Sequence, residues 1–86
     1  MKELERLLKA LANKKRLAIL KYLKSEDQAP VADIAAEIDL SFKATSKHLG
    51  ILSACDILEK DKKSLQIFYR LSSIQKPAVK YILSLL

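Results

Sequence analysis

Tryptophan is absent from this 86-residue chain, while glycine, histidine, cysteine and methionine occur once each and proline twice. Each scarcity excludes something. A single cysteine, Cys55, cannot close an internal disulfide, so a reducing cytoplasm is the expected location. Cys55 sits at the end of an apolar helix side and reads as a small buried hydrophobe, with nothing in the sequence to mark a low-pKa thiol. One histidine with one distant cysteine falls short of the three or four ligands that zinc requires, so no metal site is expected. A lone glycine leaves no glycine-rich phosphate loop, and no nucleophile motif or histidine-paired acid points to an enzyme; no cofactor is expected. No uncharged apolar run approaches the ~20 residues of a membrane span. The opening "MKELERLLKA" alternates charge with leucine where a signal peptide would build an apolar block.

Half of the residues are apolar, enough for a modest core in one domain covering 1–86. The net charge is +6 with an isoelectric point near 9.6, which suggests a polyanionic partner. The charge lies in blocks. "NKKRLAILKYLKS", residues 13–25, holds five cations and no acid, and "EDQAPVADIAAEID", residues 26–39, holds five acids and no cation. Lys43, Lys47 and "DKKS" at 61–64 then restore positive charge. The two basic segments share one face only if the acidic segment points elsewhere.

Leucines at 4, 7, 8 and 11 predict a first helix over residues 2–12, and Leu17, Ile19, Leu20 and Leu23 a second over 14–24. Asn13 between them ends one or caps the next. "EDQAP" predicts a turn, with Pro30 at or just before the start of a short third helix whose apolar side is Val31, Ile34, Ala35 and Ile38. Ser41 is a natural N-cap for a fourth helix, "SFKATSKHLGIL". Thr45, Leu49 and Leu52 face its core, and Lys43, Ser46, Lys47 and Gly50 lie opposite. "ILEKD" and "LQIFYRL", separated by "KKS", predict a hairpin with a charged tip. Ser73 is expected to cap a last helix striped by Ile74, Ala78, Tyr81, Ile82 and Leu85, with Pro77 in its first turn.

The expected fold class is mainly α (α+β): four helices, a hairpin and a fifth helix, the third and fourth helices joined by a linker of helix-turn-helix size. A helix-turn-helix followed at once by a basic-tipped hairpin is a winged helix arrangement. The fourth helix fits a major groove about 12 Å wide while the hairpin tip reaches the adjoining backbone. The expected DNA-contacting residues are Ser41, Phe42, Lys43, Ser46, Lys47 and His48 on the helix and Lys62 and Lys63 in the wing. Ser41 would aim unpaired amides and the positive dipole end at a phosphate. Phe42 either staples the turn to the core or meets a thymine methyl. Arg16 either contacts a phosphate or pairs with the acidic segment. A solvated charged face remains the plain alternative for the lysines.

From about Leu11 to Leu71 the chain resembles the ArsR-like winged helix repressors of bacteria and archaea. The resemblance rests on "LANKKRLAILKYL", on "VADIAAEIDLSFKATSKHLGIL" and on "IFYRL", with the serine-x-histidine-leucine of "SKHLGIL" its most specific element. It implies that the helix bearing Lys47 and His48 reads DNA and that the first and last helices pack into a homodimer. Many members sense metals through a cysteine pair in the third helix, where this chain has "VADI", or through aspartate and histidine on the last helix, where "SIQKPAVKYILSLL" has neither. At the end of the recognition helix, Cys55-Asp56 replaces the family's usual alanine-glycine; aspartate tolerates the left-handed conformation, so the turn survives.

The function expected is therefore a homodimeric, double-stranded-DNA-binding transcriptional repressor that acts on a pseudo-palindromic operator without metal sensing and without a membrane. The expected dimer surface is Leu4, Leu7, Leu8 and Leu11 with Ile74, Ala78, Tyr81, Ile82 and Leu85, more apolar surface than so short a monomer can hide. The alternative is a winged helix used for protein contact, an antitoxin-like module that does not read DNA.

Overall fold

Asn13 closes one helix and opens the next. In the computed structural model, which describes residues 1–86, α1 spans Lys2–Leu11 and α2 spans Lys14–Glu26. The Asn13 side chain accepts a hydrogen bond from the Arg16 N–H at 3.0 Å, satisfying one of the amides that a helix start leaves unpaired. The short strand β1 (Gln28–Pro30) leads into α3 (Val31–Ile38), and α4 (Phe42–Ala54) follows after three residues. Ser41 caps α4, its Oγ accepting from the Ala44 N–H at 3.0 Å. The hairpin strands β2 (Leu58–Lys63) and β3 (Gln66–Leu71) precede α5 (Pro77–Ser84). The helix order and the wing are as expected.

Two segments depart from expectation. "EDQAP" is a bend only at Asp27; Gln28–Pro30 forms a strand that pairs antiparallel with β3, Ala29 opposite Tyr69, in a sheet ordered β1-β3-β2. Pro30, with no N–H to give, is tolerated because β1 is an edge strand. The last helix does not begin at Ser73. Lys76, extended at φ −66° and ψ 150°, is the N-cap, and Pro77 takes the first helical position. A residue before proline is driven out of the helical region, which fixes this boundary. The Gln75 amide holds the preceding segment irregular by donating to the Ile57 and Ser72 carbonyls at 3.0 and 2.9 Å. Ile74 is thereby left outside the helix and 85% exposed.

Ile19, Leu20 and Leu23 of α2 form the centre of the core, against Ile34 and Ile38 of α3, Leu49 and Leu52 of α4, and Ile57, Tyr69 and Val79 beyond. Leu7 and Leu11 of α1 are buried in the same cluster. Thr45 is also fully buried, and its hydroxyl has no partner.

With its one glycine in mid-helix, the chain makes its tight turns from other residues. Asp27, Asp39, Asp56 and Ser64 all have positive φ, between 56° and 68°. Short polar side chains tolerate this region best among residues bearing a Cβ, at a residual steric cost. Asp39, left-handed at φ 56° and ψ 53°, also places a carboxylate beside the carbonyl end of α3, where the helix dipole disfavours it. Asp39→Gly removes both penalties. It is expected to stabilise the fold by about 0.5–1 kcal/mol, a rise in Tm of about 4 °C for a domain of this size, which a thermal melt would register; an unchanged or lower Tm would show that Asp39 sits there without strain.

Cations complete four of the five helix ends. Arg16 Nη1 donates to the Lys9 and Ala10 carbonyls of α1, each at 3.4 Å, and Lys15 Nζ donates to Ile38 of α3 at 2.6 Å. Arg6 donates to the Ala54 carbonyl of α4, and Lys24 Nζ to Leu83 of α5 at 2.8 Å. The last-turn carbonyls have no partner within their own helix, and positive charge is favoured there.

Candidate nucleic-acid interface

Helix α3 ends on left-handed Asp39, and the Leu40 N–H turns back to the Ala35 carbonyl at 3.1 Å. This closure redirects the chain within three residues and presents the capped start of α4. Because Thr45, Leu49 and Leu52 are buried on one side, the opposite side of α4 faces out. It carries Lys43, Lys47 and Gly50, all exposed, and half-buried Ser46. Phe42 is 62% exposed, so it does not staple the turn to the core. No acidic residue occurs in α4, and neither lysine enters any of the three ion pairs of the chain. A Cβ at Gly50 would meet nothing within 4 Å, so the fold itself does not demand glycine there.

The acidic segment is turned to other work. Burial, then the carboxylates of Glu26, Asp33 and Glu37, push the Tyr22 hydroxyl pKa upward, which locates those acids around α2. Asp27 and Asp39 form turns.

His48 is half-buried on the flank of α4, and its Nδ1 accepts a hydrogen bond from Arg16 Nε at 3.1 Å. Burial lowers its pKa, helped by the positive charges of Arg16 and Lys47. Arg16 was expected either at a phosphate or paired with the acidic segment. It does not pair with the acidic segment: its guanidinium lies between the last turn of α1 and His48. The geometry that decides this joins residues 32 positions apart, beyond any local sequence signal.

The two wing lysines are not equivalent, since side chains alternate faces along a strand. Lys62 pairs with Ile67 in register, on the face that carries buried Leu58 and Tyr69. Lys63 stands on the other face, donating to Gln28 Oε1 at 3.1 Å with its ammonium 5.1 Å from the centre of the Phe68 ring. That outer face is laced by Arg70, which bridges Glu59 and Asp61. Lys60, two residues before Lys62 and on its face, is exposed and was not singled out from sequence. Its alternation with Leu58 and Lys62 was the available signal.

At the opposite ends of the chain, the residues expected at a dimer surface divide. Leu7 and Leu11 belong to the core of a single chain, a correction that follows from their burial. Ala78 and Ile82 are half-buried against that core. Leu4, Leu8, Ile74, Tyr81 and Leu85 remain exposed. An ion pair between Glu3 and Lys76 brings the starts of α1 and α5 together, beside a groove lined by Met1, Leu4, Leu7, Pro77 and Ala78. Nowhere do three histidine, cysteine or acidic side chains gather as metal ligands, and no helix is long and apolar enough to cross a membrane.

A capped, carboxylate-free helix presented by a helix-turn-helix, with a cationic hairpin after it, defines the winged helix class of DNA-binding proteins. Residues 11–61 match the helix-turn-helix domain family. The chain is 36% identical over 73 residues to the transcriptional activator HlyU of Vibrio cholerae, covering 85% of this chain and 67% of HlyU. It is 34% identical over 67 residues to the cadmium resistance regulatory protein CadC of Listeria innocua, covering 78% of this chain and 56% of CadC. The reduced HlyU structure superposes with a TM-score of 0.81 at 32% identity, over 96% of this chain and 83% of that one. The homodimeric winged helix-turn-helix DNA-binding domain Mb0332 of Mycobacterium bovis also gives 0.81, at 26% identity over 98% and 74% of the two chains. The chain belongs to the ArsR-like family of winged helix DNA-binding transcriptional regulators.

Proposed function

We propose that the chain is a homodimeric repressor that reads a pseudo-palindromic operator, acts in the cytoplasm, has no enzymatic activity and needs no metal. The observation that carries the reading is the outward face of α4, where Lys43 and Lys47 stand without a carboxylate partner behind the Ser41 cap. Ser41, Phe42, Lys43, Ser46, Lys47 and His48 contact the major groove and its phosphates. Lys60 and Lys62 join them from the inner face of the wing, and Lys63 from the outer face in so far as it leaves Gln28. Residues 1–86 act as one domain whose first and last helices dimerise through Leu4, Leu8, Ile74, Tyr81 and Leu85. Two-fold symmetry then sets half-sites about 10 bp apart, or a multiple of that. Repression follows where the bound dimer covers a promoter.

The test is a titration of labelled mixed-sequence duplex DNA with the protein at several salt concentrations. Neutralising phosphates releases condensed counterions, so log K is expected to fall linearly with log salt, by about 0.9 per phosphate contact. Selection from a random DNA pool should then return an inverted repeat. Binding that ignores salt, or no binding, would favour the protein-contact module instead.

A further inference from the structure

Arg16 makes contacts that neither a solvated cation nor a phosphate anchor would make. Its Nη1 holds two carbonyls at the end of α1 while its Nε donates to His48 Nδ1. A nitrogen that accepts a hydrogen bond carries no proton, so a neutral imidazole in this arrangement has its proton on Nε2. Nε2 has no partner in the chain, yet it is not among the buried unsatisfied atoms, so it keeps access to solvent. His48 lies one residue after Lys47, on the helix assigned above to the major groove.

Resting on that assignment, we propose that Arg16 is a positioning residue: anchored on α1, it grips Nδ1 of His48 and thereby presents Nε2–H as a neutral donor to a DNA backbone phosphate. Through its Nη1 and Nε bonds together, Arg16 ties α1, the helix assigned to the dimer contact, to α4, the helix assigned to DNA. Protonation at Nδ1 would set one N–H against another and lose the bond. The charged groups acting on His48 are Arg16 from α2 and Lys47 from its own helix, and no carboxylate is among them. Burial first, and then these positive charges, disfavour the imidazolium and lower the pKa of His48.

The full chain offers a direct readout, since it contains one histidine. Imidazole nitrogen-15 shifts of the wild type should report a single Nε2–H tautomer near neutral pH. Arg16→Lys keeps the charge and loses the two-sided grip. It should give mixed Nδ1–H and Nε2–H tautomers near neutral pH, because burial and charge persist while the bond that holds Nδ1 bare is gone. Glutamine places an amide N–H near the position of Nε2, so His48→Gln should retain most of the wild-type affinity at neutral pH while His48→Ala, which removes one hydrogen bond from each protomer of the dimer, loses about 25-fold. A wild type that binds duplex with the expected salt dependence but shows mixed tautomers, or an Arg16→Lys variant that keeps the single Nε2–H tautomer, overturns the role of Arg16 and leaves the DNA reading intact. A wild type that binds no duplex overturns both.

Discussion

Replacing Leu8 and Leu85 together by glutamate is expected to convert the dimer into monomers and to weaken operator binding by about a hundredfold or more. The two leucines are 48% and 65% exposed in the single chain, so charging them costs the fold little and a dimer seam a great deal. Ile82 is a poorer choice, because it packs against the core and its replacement would confound assembly with stability. The effect on DNA follows from valency. A dimer engages its second half-site as an intramolecular event, and losing that linkage removes a factor of about 10²–10⁴ in avidity. Light scattering at tens of micromolar, above typical dimer dissociation constants, reads the mass, and circular dichroism shows whether the helices survive. A variant that stays dimeric would place the two-fold contact on another surface.

Lys43→Ala combined with Lys47→Ala should cost at least as much. Each change appears twice per dimer, so four cationic contacts disappear at once. If all four touch phosphate, the salt slope falls by about 3–4 and affinity drops uniformly across sequences. If Lys47 reaches a base edge, Lys47→Ala alone costs about 1–3 kcal/mol on the operator and relaxes preference at one position. Titrating operator and mixed-sequence duplex side by side separates these cases. Unaltered affinity and slope in the double variant would reduce the outward face of α4 to a solvated surface. The wing gives an internal comparison: the Lys62 ammonium makes no hydrogen bond or ion pair, whereas Lys63 is already engaged with Gln28 and Phe68, so Lys62→Ala should weaken binding more than Lys63→Ala.

The features visible in the sequence were those written locally. Asn13 and Ser41 cap the helices they precede because a cap needs only a side chain and an amide three residues away. The buried trio Thr45, Leu49 and Leu52 follows from helical periodicity alone. What escaped depends on distant partners. Strand β1 is three residues long, contains a proline and exists only because β3 lies beside it, about forty residues later. The late start of α5 was available in principle, since the residue before Pro77 could not be helical, yet Ser73 offered a competing cap. In the structure the neighbouring Ser72 hydroxyl is drawn instead to Glu59, at 2.9 Å. Arg16 illustrates the same limit: its charge was read against the nearest acids, and its partners turned out to be carbonyls and an imidazole. Leucine spacing showed that α1 has an apolar face but not that Leu7 and Leu11 sink into the core while Leu4 and Leu8 stay out.

The cations at the helix ends bear on how this chain comes apart. Each of α1, α3, α4 and α5 has its terminal carbonyls completed by a side chain that belongs to a different helix. Undocking a neighbour therefore uncaps the helix left behind, and fraying a helix end releases the side chain that held its neighbour. Helices of 8 to 13 residues are too short to persist in water by themselves. Secondary and tertiary structure are accordingly lost as one cooperative unit, which leaves little room for a populated state in which helices survive without their packing.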